Sequence, residues 1–277
     1  ERREVMSDLQ GKSQKAIRLG THGEDYGSWM SNPVFYMVGG LTALAALLAV
    51  LSFAVFHIFV PGILFVIIVA GLLALLGWIT WIRRQYAFDG GRIMERVHQT
   101  ILSHMDYDGK GTLLDVGCGS GALSIRAALT WQETKVVGID YWAPVYNYSQ
   151  ALCEKNAVSE GAGDRCTFCR GDANKLDFPD GSFDAVVSNY VYHNITGADK
   201  QQLLLETLRV LKKGGVFALN DEMKPGMYGD MEAFAQKLRD MGYEEVRLID
   251  TAKEVFGSRR RAAMMMLGES RMLVGRK

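Results

Sequence analysis

The chain has 277 residues, 48% of them apolar, and 31 basic side chains balanced by 31 acidic ones. That length suits one ordinary α/β domain with an appendage. The even charge argues against the net basic field of a nucleic-acid reader, so no nucleic-acid partner is expected. Four cysteines suggest free intracellular thiols rather than a disulfide framework.

Residues 1–33 are polar with scattered apolar positions and read as a cytoplasmic N-terminal segment. From 34 to 82 there are 49 residues without one Asp, Glu, Lys or Arg. A buried core helix does not run to that length, whereas two transmembrane helices of about 20 residues each do. Pro61-Gly62 divides the run into helices over 34–60 and 63–82, a tight hairpin. Lys12, Lys15 and Arg18 precede it and Arg83, Arg84, Arg92 and Arg96 follow, while the turn carries no charge. Positive flanks stay inside. The expectation is a multi-pass cell-membrane protein with its N-terminus and the remaining domain, 83–277, in the cytoplasm. The doubled length and a polar leader of about thirty residues exclude a signal peptide. Small residues at helical spacing (Gly39, Ala43, Ala46; Ala70, Ala74, Gly77) would let the two helices approach closely, and oligomers could form through them. Trp78 and Trp81 suit the cytoplasmic boundary. His57, near the turn, reads as a neutral, hydrogen-bonded side chain at the outer interface.

Next comes LLDVGCGSG, an apolar strand running into three glycines. Asp115, Gly117, Gly119 and Gly121 make a D-x-G-x-G-x-G pattern, where the backbone must turn sharply and admit a ligand. Alone, this pattern fits a dinucleotide loop equally well; the sequence downstream decides. VVGID ends a second strand on Asp140, which can accept from ribose hydroxyls. A third strand ends in Gly171-Asp172-Ala173, and a fourth, FDAVVSN, ends in Asn189-Tyr190. A helix over 203–211 is then closed by Lys212-Lys213-Gly214-Gly215, with cations on the negative end of its dipole, before a strand over 216–219.

In this order and spacing the five motifs resemble the class I S-adenosylmethionine-dependent methyltransferases, over roughly residues 91–277. The resemblance implies an α/β, Rossmann-like seven-stranded sheet of order 3-2-1-4-5-7-6 with the last strand antiparallel. Strands are expected near 112–116, 136–139, 166–170, 185–188, 216–219, 245–249 and 271–274. It implies S-adenosyl-L-methionine as cofactor and S-adenosyl-L-homocysteine as product. Gly117, Cys118, Gly119 and Gly121 would admit the methionine part. Asp115 would orient the loop amides or the ligand ammonium, and Asp140 would hold the ribose. Tyr141 would lie on the adenine face, with Asp172 and the Ala173 amide at the adenine amino group. Asn189 and Tyr190 would stand beside the methyl group. Residues 1–30 would fold over the cofactor or remain disordered.

The segment after the fourth strand, Asn189 to Asn194, lines the acceptor side in this superfamily. His193 stands there as a general base, helped by Tyr190, or as a polar residue that fixes the loop. The segment lacks the Asn/Asp-Pro-Pro-aromatic signature of amino-methyltransferases of nucleic acids and proteins. Cys166 and Cys169 lie three apart on a strand and so point to opposite faces, which suits no metal; no metal motif is evident. Arg259-Arg260-Arg261 could touch lipid headgroups, and Met264, Met265 and Met266 could form a pliable apolar wall. The expected activity is methyl transfer to a small, lipophilic or membrane-associated acceptor. The alternatives are a cytosolic acceptor with the hairpin as anchor, a membrane-protein acceptor, or a cofactor-binding sensor without catalysis.

Overall fold

The computed structural model describes residues 17–27, 32–143 and 148–277. Of residues 1–30, expected to fold over the cofactor or remain disordered, 1–16 and 28–30 lie outside the described residues.

Two helices follow the segment 17–27: α1, Asn32–Ala54, and α2, Phe59–Tyr86. Both are long and apolar enough to cross a membrane. The turn is not at Pro61-Gly62. It falls at residues 55–58, where His57 takes a left-handed φ of 53° and its Nδ1 lies 3.1 Å from the Phe53 carbonyl. Pro61 sits in the first turn of α2, whose amides have no intrahelical acceptor to lose. The helices meet through Val38, Ala45, Ala49 and Ser52 of α1 and Gly62 of α2. A Cβ on Gly62 would stand 2.6 Å from the Phe53 ring. Ala43, Ala70, Ala74 and Gly77 of the expected small-residue stripes face outward instead. The reason is rotational: α2 presents its Gly62 stripe, not its Ala70 stripe, to its neighbour.

The C-terminal end of α2 packs into the domain. Ile79, Ile82 and Tyr86, spaced to lie on one face, are buried in the main hydrophobic core. A boundary at 82/83 would therefore cut through packed core. Arg83 ties the two helix ends together, donating to Asn32 Oδ1 at 2.9 Å and lying 5.2 Å over the Phe35 ring.

The domain follows as α3 (Ile93–Ser103), β1 (Gly111–Val116), α4 (Ala122–Thr130), β2 (Thr134–Asp140), α5 (Gln150–Ser159), β3 (Cys166–Arg170) and β4 (Phe183–Asn189). Then come a 3-10 turn (Tyr192–Asn194), α6 (Lys200–Arg209), β5 (Leu211–Glu222), α7 (Pro225–Tyr228) and α8 (Met231–Asp240). β6 (Glu244–Ile249), α9 (Thr251–Phe256), α10 (Arg259–Met264) and β7 (Ser270–Arg276) complete it. The seven strands run in the order β3-β2-β1-β4-β5-β7-β6, and β7 is antiparallel to both neighbours. All seven expected strands and their order are found.

Alternation along the strands splits the core. Leu113, Val187 and Ala218 face the layer of α3, α4 and α9, while Leu114, Val186 and Phe217 face α6 and α8. Cys166 belongs to the first layer and Cys169 packs on the second, so the pair does face opposite ways. The Lys212–Gly215 run is not a helix stop. α6 ends at Arg209, and the run lies within β5, where the pairing register with β4 jumps between Phe183 and Ala185. Gly214 takes a φ of 80° in this bulge, and Lys212 reaches Asp184 at 2.8 Å.

Candidate active site

The strand order reverses between β2 and β4 around β1, and open α/β sheets bind ligands at the carboxyl ends of strands beside such a switch point. The glycine loop, Asp140, the Asp172 turn and Asn189 all lie at those ends.

The loop glycines have φ of 74°, 58° and 84° at 117, 119 and 121, a region closed to most side chains. At Gly117 a Cβ would also stand 2.2 Å from Val191, so this glycine serves close packing of the β4 turn. The Gly117 and Cys118 amides donate to the Ile139 carbonyl at 2.7 and 2.9 Å. Asp140 binds the loop from the side, accepting from Gly119 N at 2.9 Å and from Trp142 N at 2.7 Å. Each carboxylate oxygen keeps lone-pair capacity for a ribose hydroxyl. Trp142, unremarked in the sequence, closes this corner: its indole donates to the Gly119 carbonyl at 2.9 Å.

Asp115 lies buried beneath the loop and accepts from Ser124 Oγ at 2.6 Å. Burial pushes its carboxyl up to about 7. It holds none of the loop amides, which are taken by Ile139 and Asp140; of its two expected roles the ammonium contact remains. Cys118 turns into the core beside Cys153, and burial raises its thiol. With its amide committed to Ile139, it offers a ligand neither side chain nor N–H. Tyr141 is half exposed with the Arg170 guanidinium 4.7 Å from its ring centroid. Asp172 closes a turn on Asn174 N at 2.9 Å, and Ala173 packs against the core beside it.

On the acceptor side, Asn189 is locked rather than free. Its Nδ2 lies 3.2 Å from His98 Nε2, and its Oδ1 accepts from Asn220, whose own Oδ1 accepts from Thr251. Burial pushes His98 down to about 3, so the imidazole is neutral. Tyr190 has a φ of 56° and bonds Ser270 Oγ at 2.7 Å. Burial raises its phenol far above neutrality, which removes Tyr190 as a base. Tyr190→Phe is expected to cost about 1 kcal/mol of stability through the lost hydrogen bond and to leave turnover nearly unchanged, as paired melts and rate measurements would show.

His193 is held differently. Its Nδ1 is hydrogen-bonded to Asp221, a fully buried carboxylate at the end of β5 that also takes the His193 amide at 3.2 Å and the Glu222 amide at 2.7 Å. That pairing leaves Nε2 as the basic nitrogen, with no protein partner among the described residues. Glu222, next along, is pushed up to about 7 by burial. Tyr86, from the last turn of α2, donates to the Met265 carbonyl and is buried in the same core cluster that Tyr190 packs against. Asp221, Glu222, His98 and Trp142 belong to the site, although no motif announces them.

Residues 114–219 match the family described as "Methyltransferase domain". Residues 114–219 are thus those of a methyltransferase domain, set in a sheet of the class I order. Its cofactor is S-adenosylmethionine, and the left-handed glycines, the Asp140 carboxylate and the aromatic pair Tyr141-Trp142 fit that group. The domain is 31% identical over 137 residues to the 27-O-demethylrifamycin SV methyltransferase of Amycolatopsis mediterranei, covering 50% of this chain and 48% of that one. It is 29% identical to the sterol 24-C-methyltransferase of Aspergillus fumigatus, over 51% and 36% of the two chains. It is 30% identical to the demethylmenaquinone methyltransferase of Symbiobacterium thermophilum, over 47% and 50%. The match thus spans half or less of these relatives. Among solved structures the fold is shared with the geranyl diphosphate C-methyltransferase of Streptomyces coelicolor A3(2), at TM-score 0.52, 14% identity and coverage of 67% and 80%. It is shared as well with the [4+2]-cyclase SpnF, at TM-score 0.51, 22% identity and coverage of 66% and 80%. A fold common to a cyclase and a methyltransferase leaves the reaction to the site.

Proposed function

We propose that this protein transfers the methyl group of S-adenosylmethionine to a small lipophilic acceptor drawn from a bilayer that its two apolar helices span. One observation carries this reading: α2 continues unbroken from its exposed apolar length into the domain core, where Tyr86 in its last turn is buried and donates to the Met265 carbonyl. A helix that served only as an anchor would not need its last turn in the domain core. Uncharged residues 55–58 and the basic residues at the domain end favour a cytoplasmic domain. Exposed Arg260, Arg261, Met264 and Met266 flank the Tyr86–Met265 contact and suit a headgroup surface. Relatives named for sterol and demethylmenaquinone acceptors agree with a greasy substrate.

When bound, the cofactor supplies an activated methyl electrophile. The glycine loop and Asp140 would hold its ribose side, Asp115 would receive its ammonium, and Tyr141 would cover the base. His193 Nε2 takes the acceptor proton, and buried Asp221 stabilises the imidazolium that results. Holding the acceptor in line can supply about 7–11 kcal/mol of barrier reduction; general-base help adds about 10²–10⁴-fold.

The test is methyl transfer from radiolabelled S-adenosylmethionine by the detergent-solubilised full chain, offered lipid extract and soluble metabolites separately. Label is expected in the organic phase. Label confined to the aqueous phase would reduce the helices to an anchor.

A further inference from the structure

Residues 17–27 run across α5 and are fastened along their length. Leu19 is fully buried, the Gly20 amide and the Tyr26 hydroxyl donate to Glu160 Oε1 at 2.7 and 3.0 Å, and Asn156 exchanges hydrogen bonds with Asp25 at 2.9 and 3.2 Å. At the centre of this strap His22 Nδ1, one Glu24 oxygen and one Glu160 oxygen converge within 4.8 Å of one another. His22 Nδ1 stands 3.7 Å from Glu24 Oε1 and 3.6 Å from Glu160 Oε2.

Two features set this cluster apart from ordinary surface charge. The Glu24 and Glu160 side chains are 0% and 3% exposed, so two carboxylates face each other away from solvent. Glu24 Oε2 accepts from the His22 amide at 2.8 Å, but Oε1 is buried with no hydrogen-bond partner. A buried, unpaired carboxylate oxygen is costly, and a cation would relieve it. A protonated His22 is the simpler candidate, but charge-assisted hydrogen bonds close to about 2.7–2.9 Å. Separations of 3.6 and 3.7 Å are too long for that. Tetrahedral ligands about 2.1 Å from one zinc ion stand about 3.4 Å apart, which these separations approach. Thr21 Oγ1, 3.3 Å from His22 Nδ1, would have to rotate its proton away.

We propose that His22, Glu24 and Glu160 form a divalent transition-metal site, zinc foremost, that latches residues 17–27 over the cofactor loop. One imidazole and two carboxylates suit zinc or manganese better than the all-oxygen shells of calcium or magnesium. The latch reaches the cofactor through α5. Asn156, one turn before Glu160, donates both to the Asp25 carbonyl and to the Ser120 carbonyl of the glycine loop, at 2.9 and 3.1 Å. Fixing the strap on Glu160 fixes that double contact, so metal and cofactor binding are reciprocally linked. The ligands come from two distant segments, and so no local spacing reveals them.

The experiment uses untagged full-length protein in detergent, stripped with chelator and titrated with Zn²⁺ by calorimetry. Metal content is then measured after desalting, for wild type, Glu24→Gln and the His22→Ala/Glu24→Gln double variant. One zinc per wild-type chain is expected, with affinity at least tenfold weaker in Glu24→Gln and absent at this stoichiometry in the double variant. Zinc should slow tryptic cleavage at exposed Arg18 in wild type only, a readout that needs no activity. Zinc should also tighten S-adenosylmethionine binding about fivefold or more, within the usual range of coupling. Equal zinc binding by wild type and the double variant would overturn the site. Wild-type zinc binding with unchanged Arg18 cleavage and cofactor affinity would overturn the latch. Without metal, Glu24→Gln and the double variant should melt no lower than wild type, since Glu24→Gln is isosteric and removes the uncompensated buried charge, and residue 22 is exposed.

Discussion

Asp221→Asn is expected to lower kcat by about 10²–10⁴-fold, the contribution of a positioned general base, with KM for both substrates little changed. Asp221 has no solvent exposure and spends its oxygens on His193 Nδ1 and on the His193 and Glu222 amides. An asparagine fills the same space and can still accept from one amide. It can also turn its NH₂ toward Nδ1, however, and this forces the proton onto Nε2. His193 is then held in place with the wrong nitrogen protonated, unable to take a proton from the acceptor. His193→Ala should fall in the same range, and the double variant should be no worse than either, because the two residues act as one unit. Steady-state rates with melting curves for all three variants check this. Turnover within a small factor of wild type in Asp221→Asn, with the fold intact, would make the pair a loop fastening.

What could be read in advance follows from the range of the interaction concerned. Strands with alternating apolar residues and the glycine loop are local patterns, so the strands were legible from the residues, while their order was legible only through the resemblance to the class I methyltransferases. His193 was legible as a candidate, but its partner was not: Asp221 reaches it only because β4 and β5 pair in parallel, with Asn189 opposite Asn220. The polar stretch Asn220-Asp221-Glu222 reads like the end of a strand, yet β5 continues through it. His98 likewise looks like one polar residue on an amphipathic helix until Asn189 is placed against it. Pro61-Gly62 and Lys212–Gly215 misled for the same reason. Each is a good local breaker, but a helix start tolerates the proline and a strand bulge absorbs the glycines. Tyr190 looked available because sequence shows neither its burial nor Ser270.

Lowering the pH below 7 is expected to weaken S-adenosylmethionine binding by up to tenfold per pH unit, an effect carried by Asp115. Burial holds this carboxyl at about 7, well above the usual carboxylate range, so the folded protein keeps the proton that an unfolded chain would have lost. The sign for stability follows. The neutral form is favoured on folding, and stability falls as pH rises from about 4 through about 7, by roughly 4 kcal/mol at most. Glu222, also pushed up to about 7 by burial, adds to the same trend. Cofactor binding has the opposite dependence, because an ammonium needs the ionised carboxylate. Asp115→Asn should therefore melt higher than wild type at pH 8 while binding the cofactor weakly and with a flat pH profile. Methylthioadenosine, which lacks the ammonium, should bind wild type with little pH dependence and separate Asp115 from Glu222 and the histidines. Calorimetric titration of both ligands between pH 5.5 and 8 decides the matter. A flat wild-type profile for S-adenosylmethionine would leave Asp115 as a carboxyl whose partner is Ser124 alone.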